Sequence, residues 1–294
     1  MKEERTEPAA VTEQADVTAA DWLLGCQRLS KVFGSPRWAG RGDVRALSDV
    51  TLGVGRGECL GVVGESGSGK TTLASCLAGL YRPSSGTVTY QGEVVSAPGI
   101  SRRFPRVRGI QIVFQDPASS LNPRRTVGSV LAEVIKVHSL RPRGDAGDRV
   151  TELLGVVGLD GELAGRRPRR LSGGQQQRVA IARALAFEPK VVIADEIVSA
   201  LDASVQAQIL NLLADLREQL GLSIILVTHD MSVARHLCDR IAVMRAGEVV
   251  EQGPAEQVLL SPAHPYTQEL LRAVPRLEAA ATGPATAEPG AGMT

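Results

Sequence analysis

Three runs in the chain are apolar without polar alternation: ECLGVV (58–63), VVIA (191–194) and SIILVT (223–228). Short runs rich in Val and Ile that lack a polar side predict strands buried on both faces, as in a parallel sheet. Elsewhere the period changes. Over 204–220, apolar residues recur at Val205, Ile209, Leu212, Leu213, Leu216 and Leu220, one face of an amphipathic helix. Strands followed by helices predict a wound α/β core. Upstream, 44–57 and 86–95 are rich in Val and Thr and punctuated by Gly, the pattern of antiparallel strands. From Ile112 to Leu171 the spacing turns helical, with Val127, Val130, Leu131, Val134 and Ile135 in register and Pro and Arg clusters between. That stretch reads as a helical subdomain inserted into the core.

The pattern fails at both ends. The first 20 residues carry no core-forming period, and 278–294 are mostly Ala, Gly, Pro and Thr, which cannot offset the entropy of ordering. The folded body is expected over 22–277. Its 43% hydrophobic content is that of a globular protein, and 33 Lys and Arg against 32 Asp and Glu leave a net charge of +1. Such a balance argues against wrapping nucleic acid or a membrane surface, so a charged partner must be met locally. Cys26, Cys59, Cys76 and Cys238 lie far apart in sequence with no CxxC pair, which suggests neither a zinc site nor a disulfide framework and fits a reducing cytoplasm. No signal peptide is read at the start, and no apolar run approaches the roughly 20 residues of a membrane span.

The first chemical signal follows the ECLGVV strand. GESGSGKT, from Gly64 to Thr71, satisfies G-x-x-x-x-G-K-[ST]. Glycines let such a loop turn tightly so that its N–H groups converge on phosphates. Lys70 reaches the outer phosphates and the Thr71 hydroxyl can ligate Mg²⁺. A flexible Gly-rich turn is the alternative, disfavoured by the strand before the loop and the helical KTTLASCLAGL after it. The second signal is VVIADE, a buried strand ending in Asp195 and Glu196. Carboxylates at the C-terminal rim of an α/β sheet can hold a metal through water, for Asp195, and polarise an attacking water, for Glu196. Two exposed loop acids would read the same way.

Together with LSGGQQQR, beginning at Leu171, these motifs make the chain resemble the ATP-binding subunit of ABC transporters over nearly all of its folded body. The resemblance implies a P-loop NTPase (RecA-like) α/β core with an antiparallel β subdomain and an inserted α-helical subdomain at about 112–175. It implies ATP and Mg²⁺ as ligands, with Gly64, Ser66, Gly67, Gly69, Lys70, Thr71 and Thr72 around the phosphates. Phe33 in LSKVF matches the aromatic that stacks on adenine, and Gln115 in FQD the glutamine that senses Mg²⁺ and the membrane subunit. Asp202 in SALD matches the dimer-contact loop and His229 in VTHD the switch histidine, which joins Glu196 and Lys70 as catalytic. Ser172, Gly173, Gly174 and Gln175 would be presented across a head-to-tail dimer to the γ-phosphate bound by the partner chain. An ordinary Gly-Gly helix cap is the alternative, and it would not require the Gln run.

FQDPASSLNPR (114–124) and GPAEQVLLSPAHPYTQELLRAVP (253–275) look like the subgroup that imports oligopeptides, dipeptides and, in some members, nickel. This divides the chain into a tail (1–21), the ATP-binding domain (22–252), a peptide-transporter-type segment (253–277) and a second tail (278–294). The implied partners are two membrane permease subunits, a second ATP-binding chain, favoured as a different sister subunit, and an extracytoplasmic binding protein reached indirectly. The implied place is the cytoplasmic face of the membrane, with no nucleic acid bound. Two departures stand out. Ile197 occupies the position after the acid where the family usually has proline, which restores a backbone donor. RRPRR (166–170) is unusually basic and reads as a solvated surface, with lipid head groups or an acidic partner as alternatives. No cysteine follows Cys238, so a C-terminal iron–sulfur cluster is not expected. A soluble ABC ATPase and a regulatory subunit that binds ATP without turning it over remain the other readings.

Overall fold

The structure is a computed structural model and describes residues 21–34, 42–100, 109–137 and 146–273. The two tails read from composition therefore lie outside the described residues, except for Asp21, as do 274–277. The chain begins with β1 (Leu24–Phe33) and β2 (Val44–Val54), then β3 (Cys59–Val63), α1 (Lys70–Leu77), β4 (Ser85–Tyr90) and β5 (Glu93–Ser96). β1, β2, β4 and β5 form an antiparallel sheet in the order β2-β1-β4-β5. The Val- and Thr-rich, Gly-punctuated stretches thus become the strands their pattern predicts.

β3 joins a second sheet with β6 (Ile110–Val113), β7 (Val191–Asp195), β8 (Ser223–Thr228), β9 (Arg240–Arg245) and β10 (Glu248–Pro254). Its order is β10-β9-β3-β8-β7-β6, parallel throughout except for the antiparallel edge strand β10. The three apolar runs occupy its centre because both faces are covered. Leu60, Val62, Ile193, Ile225 and Val227 face a core shared with Leu24, Leu29 and Leu52 of the antiparallel sheet and with Leu73 and Leu77 of α1. The alternating Cys59, Val63, Val192, Ala194, Ile224 and Leu226 face the helices on the other side. At about 1.5–3 kcal/mol for each large apolar side chain buried, these two faces fix the register of the sheet.

The helical stretch comprises α2 (Pro117–Ser120), α3 (Val127–Val137), α4 (Ala146–Val156), 3₁₀ turns at Gly161–Gly165 and Pro168–Arg170, and α5 (Gly173–Leu185). All five apolar residues read in register at 127–135 are buried. Ile112 and Val113, read as the start of the helical pattern, instead complete β6 and pair with Ile193 and Ala194. Four residues are too few to show a strand period, and only the parallel pairing with β7 reveals it. α6 (Ala203–Leu220) buries Ile209, Leu212, Leu213 and Leu216 as the spacing predicts. Leu220, placed on the same face, is 51% exposed, because the helix ends on the left-handed Gly221 one residue later. α7 (Met231–Leu237), α8 (Ala255–Leu260) and α9 (Pro265–Ala273) complete the chain. Cys59 and Cys238 are 179 residues apart, yet their sulfurs lie 3.7 Å from one another, because β9 enters beside β3 with Leu60 opposite Arg240. All four cysteines are free thiols and buried.

Candidate functional site

Parallel strands deliver the loops after β3, β6, β7 and β8 to one edge of the sheet, the place where α/β sheets bind ligands. The loop after β3 runs from Gly64 to Gly69 and enters α1 at Lys70. Gly69 sits at φ 104° as the N-cap, no side chain caps the helix, and its first turn holds no acid. The leading N–H groups of α1 therefore lack helical partners, an arrangement suited to an anion. Gly64 has no room for a side chain, since a Cβ there would lie 2.2 Å from the Met244 carbonyl oxygen. The loop is held from outside: the Gly247 N–H donates to the Ser68 carbonyl at 2.9 Å, and the Ser48 N–H donates to the Gly247 carbonyl at 2.9 Å.

Lys70 is buried, and its ammonium donates to the carbonyls of Gly64 at 2.7 Å and Glu65 at 2.8 Å. Burial pulls its pKa down, while the nearby Glu196, Asp195 and Glu65 oppose that shift. Glu65, Ser66, Gly67 and Thr71 are exposed, and Thr72 is half-buried. The Thr71 hydroxyl donates to Asp195 Oδ1 at 3.2 Å, so the helix start and the end of β7 meet. Asp195 is buried and its pKa is raised, mainly by burial; the Thr71 hydrogen bond and Lys70 lower it, and Glu196 raises it further.

Glu196 turns away from the strand at φ 50°, in the left-handed region, while its N–H donates to the Val227 carbonyl at 2.9 Å. Its Oε1 lies 3.4 Å from Nδ1 of His229, which follows β8. A proline at 197 would bias residue 196 toward extended backbone; Ile197 leaves the left-handed turn accessible and buries its own side chain in the core. Gln115, after β6, donates its side-chain amide to Ser199 Oγ at 2.9 Å, and Ser199 donates to the Glu196 carbonyl at 2.9 Å. Ser199 was not singled out from the sequence. Its role depends on the turn after β7, for which SALD gives no local signal.

Three groups stand apart from this cluster. Phe33, at the end of β1 and 37% exposed, packs edge-on against Tyr81 with centroids 5.4 Å apart, and Lys31 Nζ lies 4.9 Å from its centroid. Tyr81 is a second aromatic that the sequence reading missed. Ser172 is the N-cap of α5 and forms a reciprocal capping box with Gln175. The Gln176 side chain donates to the Leu171 carbonyl at 3.1 Å, and Gln177 is buried. Gln175 and Gln176 thus serve the helix start itself, which corrects the expectation that a plain cap would have no use for the Gln run. Gly174 is required by packing, because a Cβ there would meet Val205 Cγ1 at 2.5 Å; at Gly173 the nearest atom is Leu201 Cδ2 at an ordinary 3.5 Å. Asp202 is exposed and caps α6 by accepting from the Val205 N–H at 3.0 Å. Among the described residues, no hydrogen bond joins Phe33, Ser172, Gly173, Gly174 or Asp202 to the loop at 64–69. A concavity of about 570 Å³ lies beside the signature segment instead, lined by Pro123, Arg124, Arg167, Arg169 and Arg170.

The chain is similar to known proteins in sequence and in fold. The family model described as "ABC transporter" matches residues 47–199, and that described as "Oligopeptide/dipeptide transporter, C-terminal region" matches 250–292. The chain is 45% identical over 276 residues to the oligopeptide transport ATP-binding protein OppD of Mycobacterium bovis, covering 94% of this chain and 45% of that one. It therefore spans about half the length of that relative. With OppF of Bacillus subtilis it shares 43% identity over 255 residues, covering 86% of this chain and 82% of that one. A solved dimeric ATP-binding cassette in a post-hydrolysis state, bound to ADP and Pi, superposes with a TM-score of 0.68 at 31% identity, covering 79% of this chain and 98% of that one. With more than half of its residues inside the family model and most of the Bacillus relative matched, the chain belongs to the ABC transporter family.

Proposed function

We propose that this chain is the ATP-hydrolysing subunit of an importer that takes up oligopeptides or dipeptides. The observation that carries the reading is the gathering, at one sheet edge, of an uncapped helix start, the Thr71–Asp195 contact at 3.2 Å and the Glu196–His229 contact at 3.4 Å. In this reading the P-loop from Gly64 to Thr72, including Ser66, Gly67 and Gly69, holds the phosphates, and Phe33 stacks on the adenine with Tyr81 supporting its edge. Lys70 moves from its loop carbonyls to the outer phosphates.

A hydroxyl and a carboxylate oxygen meeting at the helix start fit a hard cation such as Mg²⁺. Thr71, Asp195 and Gln115 would hold it, and it would neutralise charge on the phosphate oxygens. No cluster of three or more His, Cys, Asp or Glu that could hold a metal exists among the described residues, so phosphate and water must complete the ligand set. Glu196 accepts the proton of a water whose oxygen attacks the γ-phosphorus as the bond to the bridging oxygen breaks, giving ADP and phosphate. His229 orients Glu196 and the γ-phosphate.

Gly173 supports a composite site. Packing within the chain does not require its missing side chain, and its backbone leads α5, so it suits the approach of a phosphate held by another subunit. The partners proposed are a sister ATP-binding chain in a head-to-tail dimer and two membrane permeases, with an extracytoplasmic binding protein acting through the permeases. Among the described residues no helix is long and apolar enough to cross a membrane. The place proposed for the chain, from the likeness to transport ATP-binding proteins, is the cytoplasmic face of the membrane, where the permeases hold it. The ATP-binding domain would span 22–252 and the peptide-transporter-type segment 253–277.

Glu196→Gln tests the chemistry. It should retain ATP binding and lose about 10²- to 10⁴-fold in turnover, the usual contribution of a general base, measured as phosphate release by the assembled complex. Undiminished turnover would place the base elsewhere. A wild-type chain that binds ATP but never releases phosphate with its partners present would favour the regulatory reading.

A further inference from the structure

We infer that Tyr266 is a positioning residue for the phosphate loop, so that the C-terminal segment sets how the nucleotide is received; this rests on the ATP-binding reading above. The Gly64–Glu65 peptide unit is held at both ends. Its carbonyl accepts from Lys70 Nζ at 2.7 Å, and its N–H donates to the Tyr266 hydroxyl at 3.3 Å. Hydrogen bonds in series through one peptide group polarise and reinforce one another. When Lys70 leaves the Gly64 carbonyl for a phosphate, Tyr266 is the contact that still fixes the plane of that peptide. The loop N–H groups that follow inherit their direction from it.

Tyr266 is itself firmly placed. It is 3% exposed, Arg245 at the end of β9 stacks on its ring at 4.8 Å, and its N–H donates to His264 Nδ1 at 3.1 Å. The preceding turn is pinned by Glu251 of β10, which accepts from the N–H groups of Ala263 at 2.8 Å and His264 at 3.1 Å. Thr267, next along α9, is fully buried. Burial raises the pKa of the Tyr266 phenol above its ordinary value, so the hydroxyl stays neutral and its oxygen remains available to the Glu65 N–H.

The test is Tyr266→Phe in the full chain, which keeps the ring, its packing and the arginine stack while removing only the hydroxyl. Two measurements are made on each protein. Amide hydrogen exchange of the peptide covering 60–70, without nucleotide, should be faster in the variant with no change elsewhere. ATP affinity should weaken about three- to tenfold, the range expected for one lost hydrogen bond, with KM raised by a similar factor and kcat within about twofold of wild type. Unchanged exchange at 60–70 overturns the clamp. Faster exchange with unchanged ATP affinity overturns the positioning role while leaving the ATPase reading intact. A wild-type chain that binds no ATP overturns both.

Discussion

Asp195 is kept buried beside Thr71 although burial works against its charge. Because its folded pKa is raised, the native state holds more protons than the unfolded chain between the ordinary value of 3.8 and the raised one. Stability from this group is therefore lost as pH rises through that window and stays level above it. Asn at 195 retains an oxygen to accept from Thr71 and has no charge to bury. The stability of Asp195→Asn relative to wild type should increase as pH rises from about 4 toward neutrality, while Mg²⁺-dependent nucleotide binding is lost; urea unfolding at several pH values and a binding titration check both. At this scale the sequence was most readable where chemistry is local. Gly64 to Thr71 and the Asp195–Glu196 pair are contiguous, so spacing alone exposes them. Ser199, Tyr81 and Tyr266 act through partners 48 or more positions away or across a turn, and nothing in their own neighbourhood marks them.

At the scale of elements, the two glycines ahead of α5 separate packing from function. Gly174→Ala brings a Cβ to 2.5 Å from Val205 Cγ1, and a β-branched side chain has little rotameric freedom with which to yield. It should cost about 1–3 kcal/mol of stability. Gly173→Ala meets only Leu201 at 3.5 Å and should change stability by no more than about 0.5 kcal/mol. Gly173→Asp should leave ATP affinity of the isolated chain nearly unchanged and cripple hydrolysis in the assembled pair. A large loss of affinity in the isolated chain would place the signature loop in its own site, against the head-to-tail proposal. Long periodic elements, α3 and α6, were legible from their spacing. The four-residue β6 was not, because its identity lies in its pairing with β7, and Leu220 misled because the helix stops before its face is covered.

For the whole molecule, the link from the nucleotide edge to the helical stretch runs through Gln115 and the segment that follows it. Leu121 in that segment is buried in the core, so replacing it with Ala would cost about 2–5 kcal/mol and confound any transport assay. The exposed Asn122, Pro123 and Arg124 can be changed without that penalty. Ala at Asn122 and Arg124 should leave basal ATPase nearly intact and abolish its stimulation by cargo-loaded binding protein in reconstituted vesicles. Uptake and ATP consumption measured on the same preparation decide the matter: an unchanged ratio between them removes this surface from the proposed transmission path. The arrangement of the sheets could be anticipated as a class but not in its order, since β9 and β10 carry no pattern that says they close the edge beside β3.

The four buried thiols have a practical consequence. Burial pushes Cys26 up to about 12 and Cys76 up to about 11, and Cys59 is raised by its contact with Cys238 and by burial. Thiolate, the form that alkylating reagents attack, is therefore scarce at Cys26, Cys59 and Cys76 at neutral pH, and Cys238 is shielded by its burial. Native protein is nearly silent to such reagents, and labelling reports the moments at which the fold opens. Cys26 belongs to the antiparallel sheet, Cys76 to the helix after the phosphate loop, and Cys59 and Cys238 to the junction of β3 with β9. Mass spectrometry of the labelled peptides would thus give three separate clocks for local opening, without introducing a single foreign residue.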